Sequence, residues 1–406
     1  MKAVVYHGPG DIRLDDVPEP KIQDPTDAIV RLTASAICGT DLHMVRGTLP
    51  GMKPGTILGH EGVGIVEELG SDVRNLQVGD RVVIPSTIAC GSCSYCRSGY
   101  FSQCDTANPH GPLAGTAFFG GPEMSGPFDG LQAERARIPF ASVGLVKLPP
   151  HIPDEVAIML SDVLPTGFFG ADIAEITSGN TVAVFGCGPV GLTAIMSALY
   201  MDAGLVIAVD SIPERLKLAR ALGAATINFE EEDPVETIRR LTGGIGVDRA
   251  IDAVGVDANH AHHGPASRIG SELQEEFQHE QAAMGLRGKP SGPNWHPGDG
   301  PTQSLHWAVQ ALAKAGTLAV IGVYPQVSRA FPIGEAMNKN LTIQMGNCPH
   351  RRYIPHLIDL VGSGALDVSR IVTQHKPLKD AISAFAAFDR REPDYVKVEL
   401  APAVVT

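Results

Sequence analysis

From Val182 the chain reads Val-Ala-Val-Phe-Gly186-Cys-Gly188-Pro189-Val190-Gly191, then runs on through an apolar stretch to Met201. A short buried strand, glycines spaced G-x-G-x-x-G and a helix, in that order, limit the possible folds more than any other segment. The first glycine permits a tight turn, the second lets a pyrophosphate approach the backbone, and the third lets helix and strand pack closely. The helix N-terminus then offers free N–H groups and a partial positive charge to phosphates. The next strand, Leu205–Asp210, ends in an acid nineteen residues beyond Gly191. A carboxylate there accepts hydrogen bonds from an adenosine ribose diol and repels a 2′-phosphate, which favours NAD over NADP. The competing reading is a packed α/β turn without ligand, with Asp210 solvated.

Strand and helix signals go on alternating downstream. Helix Pro213–Leu222 is followed by strand Ala225–Phe229, helix Val235–Leu241 and strand Asp248–Ala253, and the rhythm resumes with helix Leu305–Ala315 and strand Leu318–Gly322. Such alternation predicts a doubly wound parallel sheet. Upstream the grammar differs. Lys2–Tyr6, Ala28–Ala36, Gly62–Leu69, Arg81–Ile84 and Leu131–Ile138 are short β runs between turn signals, which predict a mostly antiparallel β domain. The tail adds helices Tyr353–Val361 and Leu378–Phe388 and strand Tyr395–Leu400. The expected division is residues 1–163 with 345–406, and residues 164–344. An insert at about 256–303 interrupts the second domain with the helix-like stretch Ser271–Met284 and the Gly/Pro-rich run Lys289–Pro301. It also carries His260, His262 and His263. These read as a solvated loop, because no carboxylate or cysteine lies beside them at ligand spacing.

Cys90-x2-Cys93-x2-Cys96-x7-Cys104 puts four thiols in a small Gly/Ser/Tyr-rich loop, the spacing of one closed tetrahedral zinc site. A disulfide pair is the alternative, but Met1–Pro20 lacks an apolar secretion-type region, so an oxidising compartment is not expected. The 406 residues carry a net charge of -13, which argues against a nucleic-acid partner. The uncharged run Asn180–Met201 approaches membrane length, but its glycines and Pro189 suit a strand–turn–helix better. A soluble, cytoplasmic chain is expected.

Two further segments carry metal donors: Cys38-Gly-Thr40-Asp41-Leu-His43 and His60-Glu61. A catalytic zinc takes three protein ligands and keeps one open position. Cys38 and His60 supply a thiolate and an imidazole, and Ser161-Asp162-Val-Leu-Pro-Thr166-Gly offers Asp162 as the third.

The assembled pattern resembles the zinc-dependent medium-chain alcohol dehydrogenases along essentially the whole chain except the insert. Within that family it is most similar to the bacterial formaldehyde dehydrogenase and aldehyde dismutase branch, which shares Ser-Asp-x-Leu-Pro-Thr-Gly. The resemblance implies a GroES-like catalytic domain beside a Rossmann domain, two zinc ions per chain, NAD, an alcohol or aldehyde substrate and a homotetramer. It implies that Cys38, His60 and Asp162 bind catalytic zinc, that Cys90, Cys93, Cys96 and Cys104 bind structural zinc, and that Glu61 is a carboxylate able to approach the metal. Asp41 would orient His60, and Thr40 with His43 would relay the proton. Thr166 would contact nicotinamide, with Gly186, Gly188, Pro189, Val190, Gly191, Asp210, Arg215 and Lys397 around the rest of the cofactor. Arg215 would lie near the adenosine ribose and Lys397 near the pyrophosphate. One thiolate, one carboxylate and a neutral imidazole would cancel the Zn²⁺ charge.

Gly39 departs from the pattern of relatives that place a basic residue beside the pyrophosphate. Three readings follow: a dehydrogenase with exchangeable NAD, a dismutase that retains NAD and cycles it, and a non-catalytic zinc/NAD sensor. Cys38, His60, Asp162, Thr40 and His43 together argue against the last, since a scaffold needs no proton exit.

Overall fold

The computed structural model describes residues 1–111, 114–268, 270–284 and 292–402. Part of the predicted Gly/Pro-rich run, residues 289–291, lies outside them. The chain forms two compact units. The first comprises Met1–Pro165 and Asn347–Thr406 and takes in residues 292–295. The second comprises Thr166–Lys289 and His296–Gly346.

The first unit is built on a seven-stranded sheet whose central strand is Ala28–Ile37. One flank of that strand pairs antiparallel with Gly62–Leu69, which in turn pairs with Arg81–Ile84. Val398–Ala401 pairs antiparallel on the other side. Gln374–Pro377 then adds a parallel edge. Two registers fix one end of this sheet: Ser35 lies opposite Gly62, and Ile37 opposite Val398. The residues just past these pairs, Cys38, His60, Glu61 and Lys397, are therefore brought together there. Long apolar β-branched runs such as Ala28-Ile-Val make the strand, and Ala28, Val30 and Ile37 are fully buried.

Between Cys38 and the next strand, Gly39–Arg46 forms a helix that is not among those read from the sequence pattern. Cys38 is its N-cap residue. The third helical residue, Asp41, reaches back to accept from the Cys38 backbone N–H at 2.9 Å. Gly47, left-handed at φ 84°, closes the helix.

In the second unit the strand order is Ala225–Asn228, Leu205–Asp210, Thr181–Phe185, Val247–Asp252, Leu312–Val320, Thr342–Met345, every pair parallel. Numbered from Thr181 along the chain this is 3-2-1-4-5-6, the Rossmann order. Two expectations need correction. The helix predicted to reach Ala315 stops at Ala311, and the following strand starts at Leu312. Pairing of Leu312 with Val247 overrides the helix propensity of Ala-Leu-Ala-Lys-Ala, and Ala315 turns through φ 58° to keep the chain in the sheet. The sixth strand, Thr342–Met345, has too weak a pattern to be read from sequence.

The described part of the insert contains one long helix. Its helix Ser271–Ala283 is tied down by Glu280, whose carboxylate accepts from Thr302 Oγ1 and from the backbone N–H groups of Arg329 and Ala330. No single helix among the described residues is long and apolar enough to cross a membrane.

Candidate metal centre and cofactor loop

Cys38, His60, Glu61 and Asp162 converge, with one donor atom of each lying within 4.8 Å of the others, and all four are buried. The sheet register supplies the first three. Asp162 arrives on a turn pinned by Ser161, whose hydroxyl accepts from Gly62 N–H and donates to the Ile84 carbonyl. Asp162 Oδ2 stands 3.8 Å from both Cys38 Sγ and His60 Nε2. Its other oxygen accepts from His350 Nε2 at 2.7 Å and from Ser86 Oγ at 3.0 Å. His60 turns its second nitrogen, Nδ1, toward Asp41 Oδ1 at 3.2 Å. Gln132 and the Cys38 amide hold the other Asp41 oxygen.

The electrostatics favour a cation in this cluster. Burial pushes the Cys38 thiol up, and the nearby carboxylates Asp162 and Glu61 push it further, against His60. Burial opposes charge on His60, but Asp41 and Cys38 outweigh it and raise the imidazole well above its ordinary value. Burial also opposes ionisation of Asp162, yet His350, His60 and Lys397 hold its carboxyl below the usual range. A buried thiol, imidazole and carboxylate oxygen facing one another form a mixed S/N/O set that suits zinc, and a coordinated thiol ionises outright. The residues present thus fit the metal the sequence implies.

Lys397 has a partner that no local motif announces. Its ammonium is fully buried, 2.5 Å from Glu61 Oε1 and 3.1 Å from the Ile37 carbonyl, and it neutralises Glu61. Burial works against that ammonium, but Glu61, Cys38 and Asp162 raise its pKa. His350 escapes sequence reasoning. A single histidine 188 residues from Asp162 leaves no local signal. Of the two residues expected to relay a proton, His43 is buried on the same helix as Asp41 and Thr40 is half-buried.

Cys90, Cys93, Cys96 and Cys104 form a second cluster, all four as free thiols. Cys93 Sγ and Cys104 Sγ are 3.9 Å apart, far beyond a disulfide bond. A tetrahedral zinc with Zn–S bonds of about 2.3 Å separates its sulfurs by about 3.8 Å. Backbone N–H groups point at the sulfurs: Ser92 and Cys93 to Cys90, Cys96 to Cys93, Cys90 and Ala107 to Cys104. Burial opposes ionisation of Cys90, yet hydrogen bonds from Thr106 and Ser92 bring it down to about 6. Burial opposes ionisation of Cys93 too, yet backbone N–H groups bring it down, whereas burial raises Cys96 and Cys104, so all four become thiolates together only beside a cation.

In the second unit the glycine loop follows strand Thr181–Phe185. Gly186 sits at φ 89°, and a side chain at Gly191 would meet the Gly186 carbonyl at 1.8 Å. Gly188 caps helix Pro189–Tyr200, with Pro189 and Val190 in its first turn. Asp210 Oδ2 accepts from Cys187 N–H at 2.7 Å, and Oδ1 accepts from Ser211 and Ile212. A carboxylate offers about four acceptor sites, so one remains. Arg215 approaches the Oδ2 side at 3.8 Å. Thr166 opens this unit.

Two family profiles match the chain: an alcohol dehydrogenase GroES-like domain over residues 24–150, and a zinc-binding dehydrogenase over residues 189–262. The chain belongs to the zinc-type alcohol dehydrogenase family and is an oxidoreductase of that class. It is 37% identical to the uncharacterized zinc-type alcohol dehydrogenase-like protein AdhB of Bacillus subtilis, over 99% of this chain and 100% of that one. An alcohol dehydrogenase of Cupriavidus necator is 32% identical over 99% of both chains. The glutathione-independent formaldehyde dehydrogenase of Pseudomonas aeruginosa is 34% identical over 97% of this chain and 96% of that one. Among solved structures, alcohol dehydrogenase TADH from Thermus sp. ATN1 superposes with TM-score 0.80 at 34% identity, covering 99% of this chain and 100% of that one.

Proposed function

We propose that the chain oxidises an alcohol to the carbonyl compound, passing hydride to NAD⁺ and releasing one proton, and that it also runs the reverse reaction. The observation that carries this reading is Asp162, whose Oδ2 faces both Cys38 Sγ and His60 Nε2 inside a buried cluster. Cys38, His60 and Asp162 would hold zinc, which supplies a Lewis acid for the substrate oxygen, while NAD supplies the hydride acceptor.

The chain's own groups prepare that chemistry. Asp41 fixes the ring of His60 from behind, and His350 with Ser86 fixes the carboxylate of Asp162. Lys397 offsets the charge of Glu61, which leaves Glu61 near the donors without adding a net anion. Thr40 and His43 would carry the substrate proton away, a task suited to a hydroxyl and an imidazole, each of which can both accept and donate a proton. The glycine loop would cradle the pyrophosphate, Asp210 would accept from the adenosine ribose, and Thr166 would contact the nicotinamide. Cys90, Cys93, Cys96 and Cys104 would hold a second, closed zinc.

The test is NADH formation from NAD⁺ with a panel of primary and secondary alcohols. Turnover should fall by more than about a hundredfold in Cys38→Ser and in His60→Ala. Undiminished turnover in both variants would remove the metal from the mechanism.

A second reading, an aldehyde-converting enzyme that keeps its NAD, is favoured by the formaldehyde dehydrogenase named among the relatives. Acid release of about one NAD(H) per chain from protein purified without added cofactor would support it. Release of almost none would favour the exchanging dehydrogenase.

A further inference from the structure

The sequence places His260 and His262 in a loop with no neighbouring acid at ligand spacing, but the fold supplies one from the far end of the insert. Asp299 Oδ2 lies 3.4 Å from His260 Nε2 and 3.3 Å from His262 Nε2. The donor atoms of all three residues fall within 4.8 Å of one another. A tetrahedral ion with bonds of about 2.0–2.1 Å to nitrogen and oxygen sets its ligand atoms about 3.3–3.4 Å apart. The two separations from Asp299 match that edge length.

The protonation pattern points the same way. His260 Nδ1 lies 2.8 Å from the Ala261 carbonyl. A carbonyl only accepts, so Nδ1 carries the proton. In the neutral ring Nε2 is then a lone pair, and it points at a carboxylate oxygen. Two acceptors at that distance repel unless a proton or a metal cation lies between them. A carbonyl holding the distal nitrogen of an imidazole is also how metal-binding histidines are commonly fixed.

The site is built into the backbone. Asp299 lies between Gly298 and Gly300. A side chain at Gly298 would run into the Ala258 carbonyl at 2.3 Å, and one at Gly300 into the His260 amide at 2.8 Å. The two ends of the insert are zipped by Gly298 N–H to Asp257 and Gly300 N–H to the Ala258 carbonyl. Asp299 Oδ1 accepts from His260 N–H at 3.1 Å, which leaves Oδ2 as the oxygen that faces the rings. On the other side Glu230 accepts from the backbone N–H groups of His262 and His263 and holds the loop in place.

We infer that His260, His262 and Asp299 form a further divalent-cation site, separate from the Cys38 and Cys90 clusters, which takes a borderline ion of the zinc class and clasps the two ends of the insert. Two imidazoles and one carboxylate are ligands for such ions, and the partly exposed setting leaves water to complete the coordination. His263 takes no part as a ligand.

The experiment equilibrates the full-length protein with zinc buffered in the low micromolar free range and counts bound zinc per chain, with no substrate or NAD present. The wild type and His263→Ala should bind equally, and His262→Ala and Asp299→Asn should each bind about one zinc fewer. The amide oxygen introduced by Asp299→Asn can still accept from the His260 N–H, and His262 is half-exposed, so both variants should keep the wild-type circular dichroism. Equal zinc in all four proteins would overturn the site and leave a proton-bridged ion pair. A loss in His263→Ala as large as in the others would overturn the ligand assignment. Because the readout is metal content, the dehydrogenase reading could fail without touching this result.

Discussion

The chemistry of this chain depends on how few side chains balance a dense group of buried charges. Asp162 is the clearest case, because one oxygen is fixed by His350 and Ser86 while the other faces Cys38 and His60. Asp162→Asn should therefore lose about one zinc per chain relative to wild type, together with turnover, while the Cys90–Cys104 cluster keeps its metal. Metal analysis alongside activity checks this, and unchanged zinc with normal turnover would remove Asp162 from the donor set. His350→Phe removes only the group behind Asp162. It should weaken metal retention by about 10–100-fold, read as faster zinc loss to a chelator, and an unchanged rate of loss would contradict the positioning role. In the second unit, Asp210→Gly should raise kcat/KM with NADP by roughly an order of magnitude relative to NAD. Undiminished preference for NAD would show that the discrimination lies elsewhere. Cys38, His60 and Asp162 are legible as candidate donors because residue type and short motif carry the signal, and the fold brings them together. His350 and the partner of Lys397 are not, since each meets its neighbour through sheet register and chain return over hundreds of residues.

At the level of elements, local pattern is most legible where strands are long and apolar, and least where pairing overrides propensity. The glycine loop and its flanking strand and helix can be drawn almost residue by residue. Helix Gly39–Arg46 gives little signal because it is short and its start and stop depend on Asp41 and Gly47. That helix ends in Arg46, which makes a buried ion pair with Asp389 at 2.8 Å. Asp389 also accepts from the backbone of Trp295 at 2.6 Å and from Asn294 at 3.1 Å, so the tip of the insert and the helix share one carboxylate. Asp389→Ala removes this carboxylate from a buried guanidinium and should cost about 3–5 kcal/mol. Urea unfolding measures it, and a midpoint equal to wild type would contradict that weight.

The insert helix carries a pH response of its own. Phe277 packs edge-on against His306, with ring centroids 6.4 Å apart. Burial lowers the His306 pKa below its ordinary value, despite Glu276, Glu280 and Glu335 pulling the other way. The unfolded chain thus binds this proton first. The stability from keeping the ring neutral is complete above about pH 6.5 and is lost as pH falls toward the lower folded value. Amide exchange in Ser271–Ala283 should quicken over that window in wild type and less so in His306→Phe. Equal pH slopes in the two proteins would contradict it.

At the scale of the whole molecule, two units with distinct grammars divide the work. One is a mostly antiparallel β unit carrying both cysteine-containing clusters, and the other is a parallel 3-2-1-4-5-6 sheet with a phosphate-type glycine loop. This pairing, with matches to both family profiles, makes the chain a zinc-type alcohol dehydrogenase-like oxidoreductase. The class is legible because both halves announce themselves by motif. The alcohol is not, since substrate choice rests on side-chain shape contributed by loops without a periodic pattern.

Hydride transfer from an alcohol to NAD can be followed by isotope tracing. The purified protein is given NAD⁺ and primary alcohols fully deuterated at the carbinol carbon, and the reduced cofactor is examined by mass spectrometry and NMR. Wild type should form NADH that carries deuterium at nicotinamide C4, and Cys38→Ser should not. Unlabelled NADH, or label formed equally well by Cys38→Ser, would contradict it.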